Sequence, residues 1–500
     1  MTSGLPTPES LMASSTMPQT SQDILSFNQV ALQGLNRAIA FQSDRFALIL
    51  VRCNYRLLEQ ALINYLTQNN PTLQVLSLPQ RIPNLVEAIQ IHLKLNPPGT
   101  PTPTAIMVTD LGGLENLEAV LKAANLGRDA FQQQLPFPLV LWIDDFVLSQ
   151  MTQFAQDLKN LGPPTLRFEM PPAELLVNLR RETDDLFTQF LKGIPDALPD
   201  SAAVTFSNNS RLNSELTYAL RDLKTYGHTL DPELEASLSL AQGQLAHSHL
   251  EMETAKRCYE ESLRYWTQRV EEAEGKGQED NLQSDLSGSS SPLSFSSTAQ
   301  TLTPLHKKAT LLLHLGFWWR SLAALQRPAH ETSLQQARHY FEAGLDCFRQ
   351  MGHRHLEARF ITYLLEVLQK QRDWKGLEAQ ARAAQKLHQQ TGDWVREASD
   401  HGFLAEVALQ QQQWLTAQAE AVRALDLLEQ TEHRLNGTSD NAFLLKGLRA
   451  AKRFQRGWYR FLLGEAQMEL EQPQNAIALL EQARQEVDPE ADLILYRRIL

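Results

Sequence analysis

The hydrophobic pattern of this chain changes character near residue 212. Before that point, short runs that are apolar throughout alternate with amphipathic stretches; beyond it only the helical period remains. Runs at 46–51, 73–78, 104–109, 138–143 and 165–170 have the length of strands. Between them, Leu57, Leu58, Ala61, Leu62, Tyr65 and Leu66 mark one helix face, and Leu85, Ala88, Ile89, His92 and Leu93 mark another. Strands without polar alternation are covered on both faces, and the intervening helices supply the cover. The expected fold is therefore an α/β three-layer domain with a five-stranded parallel sheet over 22–193, followed by an all-α array. In such a sheet a ligand sits beyond the carboxyl ends of the strands. The residues there are Arg52, Cys53 and Asn54, then Asp110, then Asp144 and Asp145, then Glu169.

A chain of 500 residues is too long for one core. Its 43% hydrophobic and 21% charged residues are ordinary for a globular protein. A net charge of −12 argues against nucleic acid as a partner, since phosphate binding needs clustered Lys and Arg. No membrane span is expected. Cys53, Cys258 and Cys347 are scattered without metal-ligand or disulfide spacing, so no metal site is expected and the cytoplasm is the default setting. Residues 1–21, rich in Ser, Thr and Pro, read as a disordered leader. Residues 271–303, dense in Ser, Gly, Gln and acids, read as a disordered insertion.

The helical half repeats itself. Gly243 is followed by Ala255, Tyr259, Ser262 and Leu263; Leu463 and Gly464 are followed by Ala476, Leu480 and Ala483, with Pro489 beyond. Trp374, Leu377, Ala381 and Ala384 recur as Trp414, Ala417, Ala421 and Ala424. Leu315, Gly316 and Trp319 go with Ala337, Phe341 and Gly344. Small residues at these positions let two helices approach closely, and bulky ones fill the gap to the next pair. This pattern resembles the tetratricopeptide repeat (TPR). The resemblance implies a TPR-like helical solenoid, with a connector and first unit over 194–270 and further units over 304–500. Such arrays form surfaces that hold a protein or peptide partner.

The α/β half invites a nucleotide-binding reading that its residues undercut. A phosphate-wrapping loop needs glycines to bring backbone N–H groups together and a lysine to neutralise charge. Here the first strand passes through Arg52, Cys53, Asn54, Tyr55 and Arg56 straight into a helix, with neither glycine nor lysine. The order of elements, with Asp110 ending the third strand and the segment Leu166-Arg167-Phe168-Glu169-Met170-Pro171-Pro172 running from the fifth strand into a helix, resembles AAA+ and STAND-type NTPases, signal-transduction ATPases joined to repeats. The resemblance implies a magnesium-associated acid at Asp110. It also implies a phosphate sensor at the fourth strand, where Asp144 and Asp145 would instead repel a phosphate. The expectation is a degenerate member of that family without catalytic residues. Any vestigial nucleotide pocket would be made by Arg52, Asn54, Arg56 and Asp110.

Other candidates read as structural. Asp110 and Asp144 suit strand ends or helix caps, and Asp145 suits the cap of the helix carrying Val147 and Met151. Cys53 and His92 suit packed positions. His353 and His355, an H-x-H beside Arg354, suit a solvated helix start rather than a metal site, and His247 with His249 is read the same way. Trp318, Trp319, Trp374, Trp394 and Trp414 fall at repeat positions and suit inter-helix packing. The function expected is a non-enzymatic protein-interaction scaffold, a signalling or defence-type adaptor of bacterial kind, with no cofactor. The alternative is a regulatory switch that binds ATP or ADP without efficient hydrolysis.

Overall fold

The computed structural model describes residues 19–42, 45–95, 102–192, 210–280, 302–325, 330–435, 442–488 and 493–499. The expected leader falls outside them up to residue 18. The chain divides into two units. One takes in the described residues up to 179 together with 210–229. The other takes in 180–192 and everything described from 230 onward.

The first unit opens with α1 (Gln19–Phe27) and α2 (Gln29–Ala40). It then alternates through β1 (Ala47–Cys53), α3 (Arg56–Asn69), β2 (Leu73–Ser77), α4 (Leu85–Leu95) and β3 (Ala105–Thr109). A 3-10 turn (Leu111–Gly113) leads to α5 (Leu117–Leu126), α6 (Arg128–Gln134), β4 (Pro138–Ile143), α7 (Asp145–Phe154), α8 (Gln156–Lys159) and β5 (Leu166–Phe168). The next helix, α9 (Pro172–Lys192), passes from this unit into the second, and α10 (Ser210–Thr225) returns to the first.

All five strands are parallel, in the order β2-β3-β4-β1-β5. The inner strands β1, β3 and β4 are buried almost throughout, whereas the edge strands β2 and β5 are only partly covered. Leu48, Leu50, Ile106, Val108, Leu139, Leu141 and Ile143 point to one face and form a common core with α4, α5 and α7. Their period of two leaves Ile49, Val51, Met107, Val140 and Trp142 for the other face, where they are equally buried. This two-sided burial is why the strands read as unbroken apolar runs. The connection after β1 runs to one side, toward β2, whereas the β4–β5 connection crosses β1 to the other. The sheet therefore has its switch point between β1 and β4, at Arg52, Asn54, Asp144 and Asp145.

The second unit is a succession of helical hairpins. They are α11 (Pro232–Ser248) with α12 (Met252–Asp280), α13 (Pro304–Leu325) with α14 (His330–Gln350), and α15 (Arg354–Gln371) with α16 (Trp374–Thr391). Then come α17 (Trp394–Gln410) with α18 (Trp414–Leu435) and α19 (Ala442–Glu469) with α20 (Pro473–Glu486), followed by α21 (Leu493–Ile499). Within each hairpin the two helices pack on each other, and each second helix packs on the first helix of the next. The second helices share one pattern at i, i+4 and i+7, buried throughout except at the partly buried Leu480. The pattern is Ala255-Tyr259-Ser262, Ala337-Phe341-Gly344, Leu377-Ala381-Ala384, Ala417-Ala421-Ala424 and Ala476-Leu480-Ala483. Gly243 and Gly316 face the rings of that pattern. A Cβ at Gly243 would stand 2.6 Å from Cε1 of Tyr259, and one at Gly316 2.8 Å from Cδ1 of Phe341.

Single residues in the left-handed region turn the chain between helices: Leu250, Gly352, Arg372, Gly392, Gln412 and Glu471. At two of these turns the next residue is an aspartate whose side chain takes the helix's third N–H, Asp373 from Gly376 and Asp393 from Arg396. Trp374, Trp394 and Trp414 begin α16, α17 and α18, close behind these turns. One expectation needs correcting. The insertion placed at 271–303 begins too early, because α12 continues to Asp280. Its Glu, Ala, Lys and Gln residues favour helix, and a helix already nucleated on the core runs on through Gly275 and Gly277 in spite of their low propensity. Residues 281–301 lie outside the described residues.

Candidate functional site at the strand ends

At the switch point the end of β1 meets the start of α7. Arg52 donates from Nε and Nη2 to the two oxygens of Asp145, the second contact at 2.8 Å. Asn54, 6% exposed, is stitched to the same residue twice. Its Nδ2 donates to Asp145 Oδ2 at 3.2 Å, and its Oδ1 accepts the Asp145 backbone N–H at 3.0 Å. Arg221 of α10 adds a contact to Asp145 Oδ2 at 2.7 Å. Burial pushes the Asp145 carboxyl up, but the hydrogen bonds from Arg52, Arg221 and Asn54 outweigh it and hold it at about 2.

Helix α10 lies over these strand ends. Leu216, Ala219 and Leu223 are its buried residues. Flanking them, Asp222 accepts from the Tyr55 hydroxyl at 2.6 Å, the Tyr218 hydroxyl accepts the Phe146 N–H at 3.1 Å, and Glu215 accepts the Arg56 N–H at 3.2 Å. Just past the helix, the Tyr226 hydroxyl donates to Glu169 at 2.9 Å. Burial, then the hydrogen bond to Asp222, push the Tyr55 phenol well above its ordinary value. Burial followed by the charge of Asp144 pushes Tyr218 up to about 12.

The chemical consequence concerns backbone donors. A phosphate at a helix N-terminus is held by the first unpaired N–H groups. In α7 the first three are taken: Asp145 by Asn54, Phe146 by Tyr218, and Val147 by Asp144 Oδ1 at 2.8 Å. In α3 the N–H of Arg56 is taken by Glu215. Side chains of the same unit thus occupy donors that an anion would need.

The four residues expected to line a nucleotide pocket come from the end of β1, the start of α3 and the end of β3. Arg52 and Asn54 meet, but on Asp145. Arg56 is exposed at the first position of α3. Asp110 ends β3, separated from β1 by β4, and accepts from Ser77 Oγ at 2.7 Å and Thr109 Oγ1 at 3.1 Å. Its φ of +63° places it in the left-handed region. The cap of α7 is Asp144, not Asp145. Cys53 is packed as expected, with its thiol on the Tyr55 carbonyl. Sequence reasoning assigned the residues of α10 to a helical connector and missed their seat on the strand ends. Its signal was the apolar spacing Leu216, Ala219, Leu223 with Glu215, Tyr218 and Asp222 alongside, readable as a helix seated on something polar.

The repeat unit buries polar groups as well. In α17, residues 397–409 are all buried, charged side chains included. His388 of α16 bridges Asp400 of α17, Nδ1 to Oδ2 at 2.5 Å, and the carbonyl of Ala358 on α15, Nε2 to O at 2.7 Å. A carbonyl only accepts, so Nε2 carries a hydrogen, and a second proton lies between Nδ1 and the carboxyl. Burial opposes charge on His388, and the bond to Asp400 reverses this, leaving its pKa above the ordinary value. Among the described residues, no group of three or more His, Cys, Asp or Glu is placed to hold a metal ion. No described helix is long and apolar enough to cross a membrane.

No family model matches the chain, and no curated protein matches it. Among solved structures it is similar to BtubC (BKLC) from P. vanneervenii, at 12% identity, over 64% of this chain and 91% of that one. The TM-score is 0.32, and at that value the likeness carries no argument.

Proposed function

We propose that this protein is a non-enzymatic interaction scaffold, a signalling or defence-type adaptor acting in the cytoplasm. Its TPR-like hairpins hold a protein or peptide partner, and its α/β unit is an NTPase-like fold given over to internal contacts. The observation that carries this reading is the seating of α10 on the switch point. There Arg221 and Asp145 pair, and Tyr218 and Glu215 cover the N–H groups of α7 and α3. The pattern shared by the five second helices, with a small residue at its third position in each, supports the repeat assignment.

Thermal unfolding with and without magnesium nucleotide tests the first half. A site half-filled at tens of micromolar would raise stability by ~2.7 kcal/mol at a hundredfold excess. No shift with millimolar Mg-ATP or Mg-ADP is expected. A saturable shift would restore the ATP/ADP switch reading. Affinity capture from the native cell tests the second half: partners retained by the whole chain should be lost when residues 230–500 are removed.

A further inference from the structure

The last described helix, α21, lies across the first helices of earlier hairpins. Leu495 and Ile499, four residues apart, are buried in the main core of the repeat unit. Arg498 lies over the ring of Phe461 on α19, its guanidinium carbon 4.8 Å from the centroid. It also reaches Glu406 on α17 at 3.2 Å and Glu465 on α19 at 3.7 Å. Glu406 is 4% exposed and takes a further hydrogen bond from Gln369 of α15. Burial raises the pKa of Glu465; Arg498 lowers it, and the negative charges of Glu406 and Glu469 raise it further. The receiving surface is thus acidic with an aromatic floor, and α21 answers it with one arginine, two aliphatic side chains and the partly buried Tyr496.

We propose that α21 is an internal ligand. It fills, within the chain, a site on α17 and α19 that accepts a partner's short basic amphipathic helix, with aliphatic residues four apart and an arginine between them. This rests on the scaffold reading and names the class of partner. The partner takes the site by displacing α21. Displacement is feasible because α21 has seven residues, too few to hold a helix by itself. Its grip consists of two buried side chains, the partly buried Tyr496 and an arginine whose side chain is 41% exposed. A tethered ligand competes at an effective concentration on the order of millimolar. It therefore weakens the partner's apparent affinity without closing the site.

The test uses a fluorescein-labelled peptide of residues 489–500 as probe, titrated with the whole chain and with R498E, whose new acid faces Glu406, Glu465 and Glu469. Anisotropy should show R498E binding the peptide at least tenfold more tightly than the unaltered chain, and E406Q/E465Q in the R498E background should reverse the gain. Equal binding by R498E and the unaltered chain, with both folded by circular dichroism, overturns the proposal. Should R498E fail to fold, hydrogen exchange of the unaltered chain decides. Residues 493–499 exchanging well before α19 and α20 supports displacement, and exchange in step with them makes α21 a fixed part of the core and overturns it. Peptide binding without any captured cellular partner would sink the scaffold reading alone; captured partners without peptide binding would sink only this inference.

Discussion

Arg52 and Asp145 grip each other at two points, Nε and Nη2 of one guanidinium on the two oxygens of one carboxylate, 93 residues apart in the chain. This pair occupies the crevice where an open α/β sheet offers its ligand site. It joins β1 to α7 and, through Arg221, both to α10.

Removing one partner should cost more than the pair contributes, because the other is left half-buried without its counter-charge. Asp145→Asn takes the counter-charge from Arg52, while Arg221 keeps Asp222 at 3.1 Å, and urea unfolding should show a loss of about 2–3 kcal/mol. Arg221→Leu, at a side chain 49% exposed, should cost under about 1 kcal/mol. A double-mutant cycle on Arg52 and Asp145 should give a clear coupling energy, and additivity would contradict the geometry.

The same carboxylate predicts an acid response. Its folded pKa, about 2, lies below the ordinary aspartate value of 3.8, so the fold binds this proton less tightly than the unfolded chain does. Its contribution is complete above about pH 4 and is lost as pH falls from there through 2. Asp145→Asn should flatten that limb of a stability–pH curve measured between pH 5 and 2, by roughly 2 kcal/mol at most.

His388 predicts the opposite sign. Its pKa is raised in the fold, so its stabilisation is present below 6.5 and declines as pH rises through the raised value. Asp400→Asn should remove this alkaline decline, since an asparagine amide can donate to a neutral Nδ1 while Nε2 still donates to Ala358. Asp400→Leu, which leaves Nδ1 unpartnered in the core, should instead cost about 2–4 kcal/mol. Thermal melts between pH 6 and 9 separate the two variants.

The hairpin crossings predict intolerance of small additions. Gly316→Val would drive methyl groups into the Phe341 ring, which is fully buried and has nowhere to turn. A loss of about 2–3 kcal/mol is expected on chemical unfolding. Gly227, where an added Cβ would meet nothing within 4 Å, is the control for crowding; substitution there meets only its φ of +71°.

What could be read in the sequence was what repeats locally. The five strands, the β4 boundaries and the hairpin pattern from Gly243 to Ala483 all declare themselves by period, because each residue's neighbours along the chain carry the signal. Asp145 did not. Whether it or Asp144 caps α7 turns on a backbone angle, and its partners Arg52 and Arg221 come from distant segments. Strand order puts β4 between the strands that end at Asp110 and at Arg52, and no local period encodes strand order. The end of α12 escapes for the converse reason: apolar content does not mark it, because a helix nucleated on the core runs on through polar residues and two glycines to Asp280.

The path of the chain carries a further consequence. Helix α9 gives Leu175 and Leu179 to one unit and Phe187 and Phe190 to the other, and the polypeptide then comes back as α10 before leaving again. The two units are therefore interleaved in sequence. A break anywhere between 193 and 209 separates the sheet from the helix that covers its strand ends, and no single cut yields both units whole. For a gene, that means neither half can be exchanged by simple fusion. The repeats and the sheet must be inherited, and altered, together.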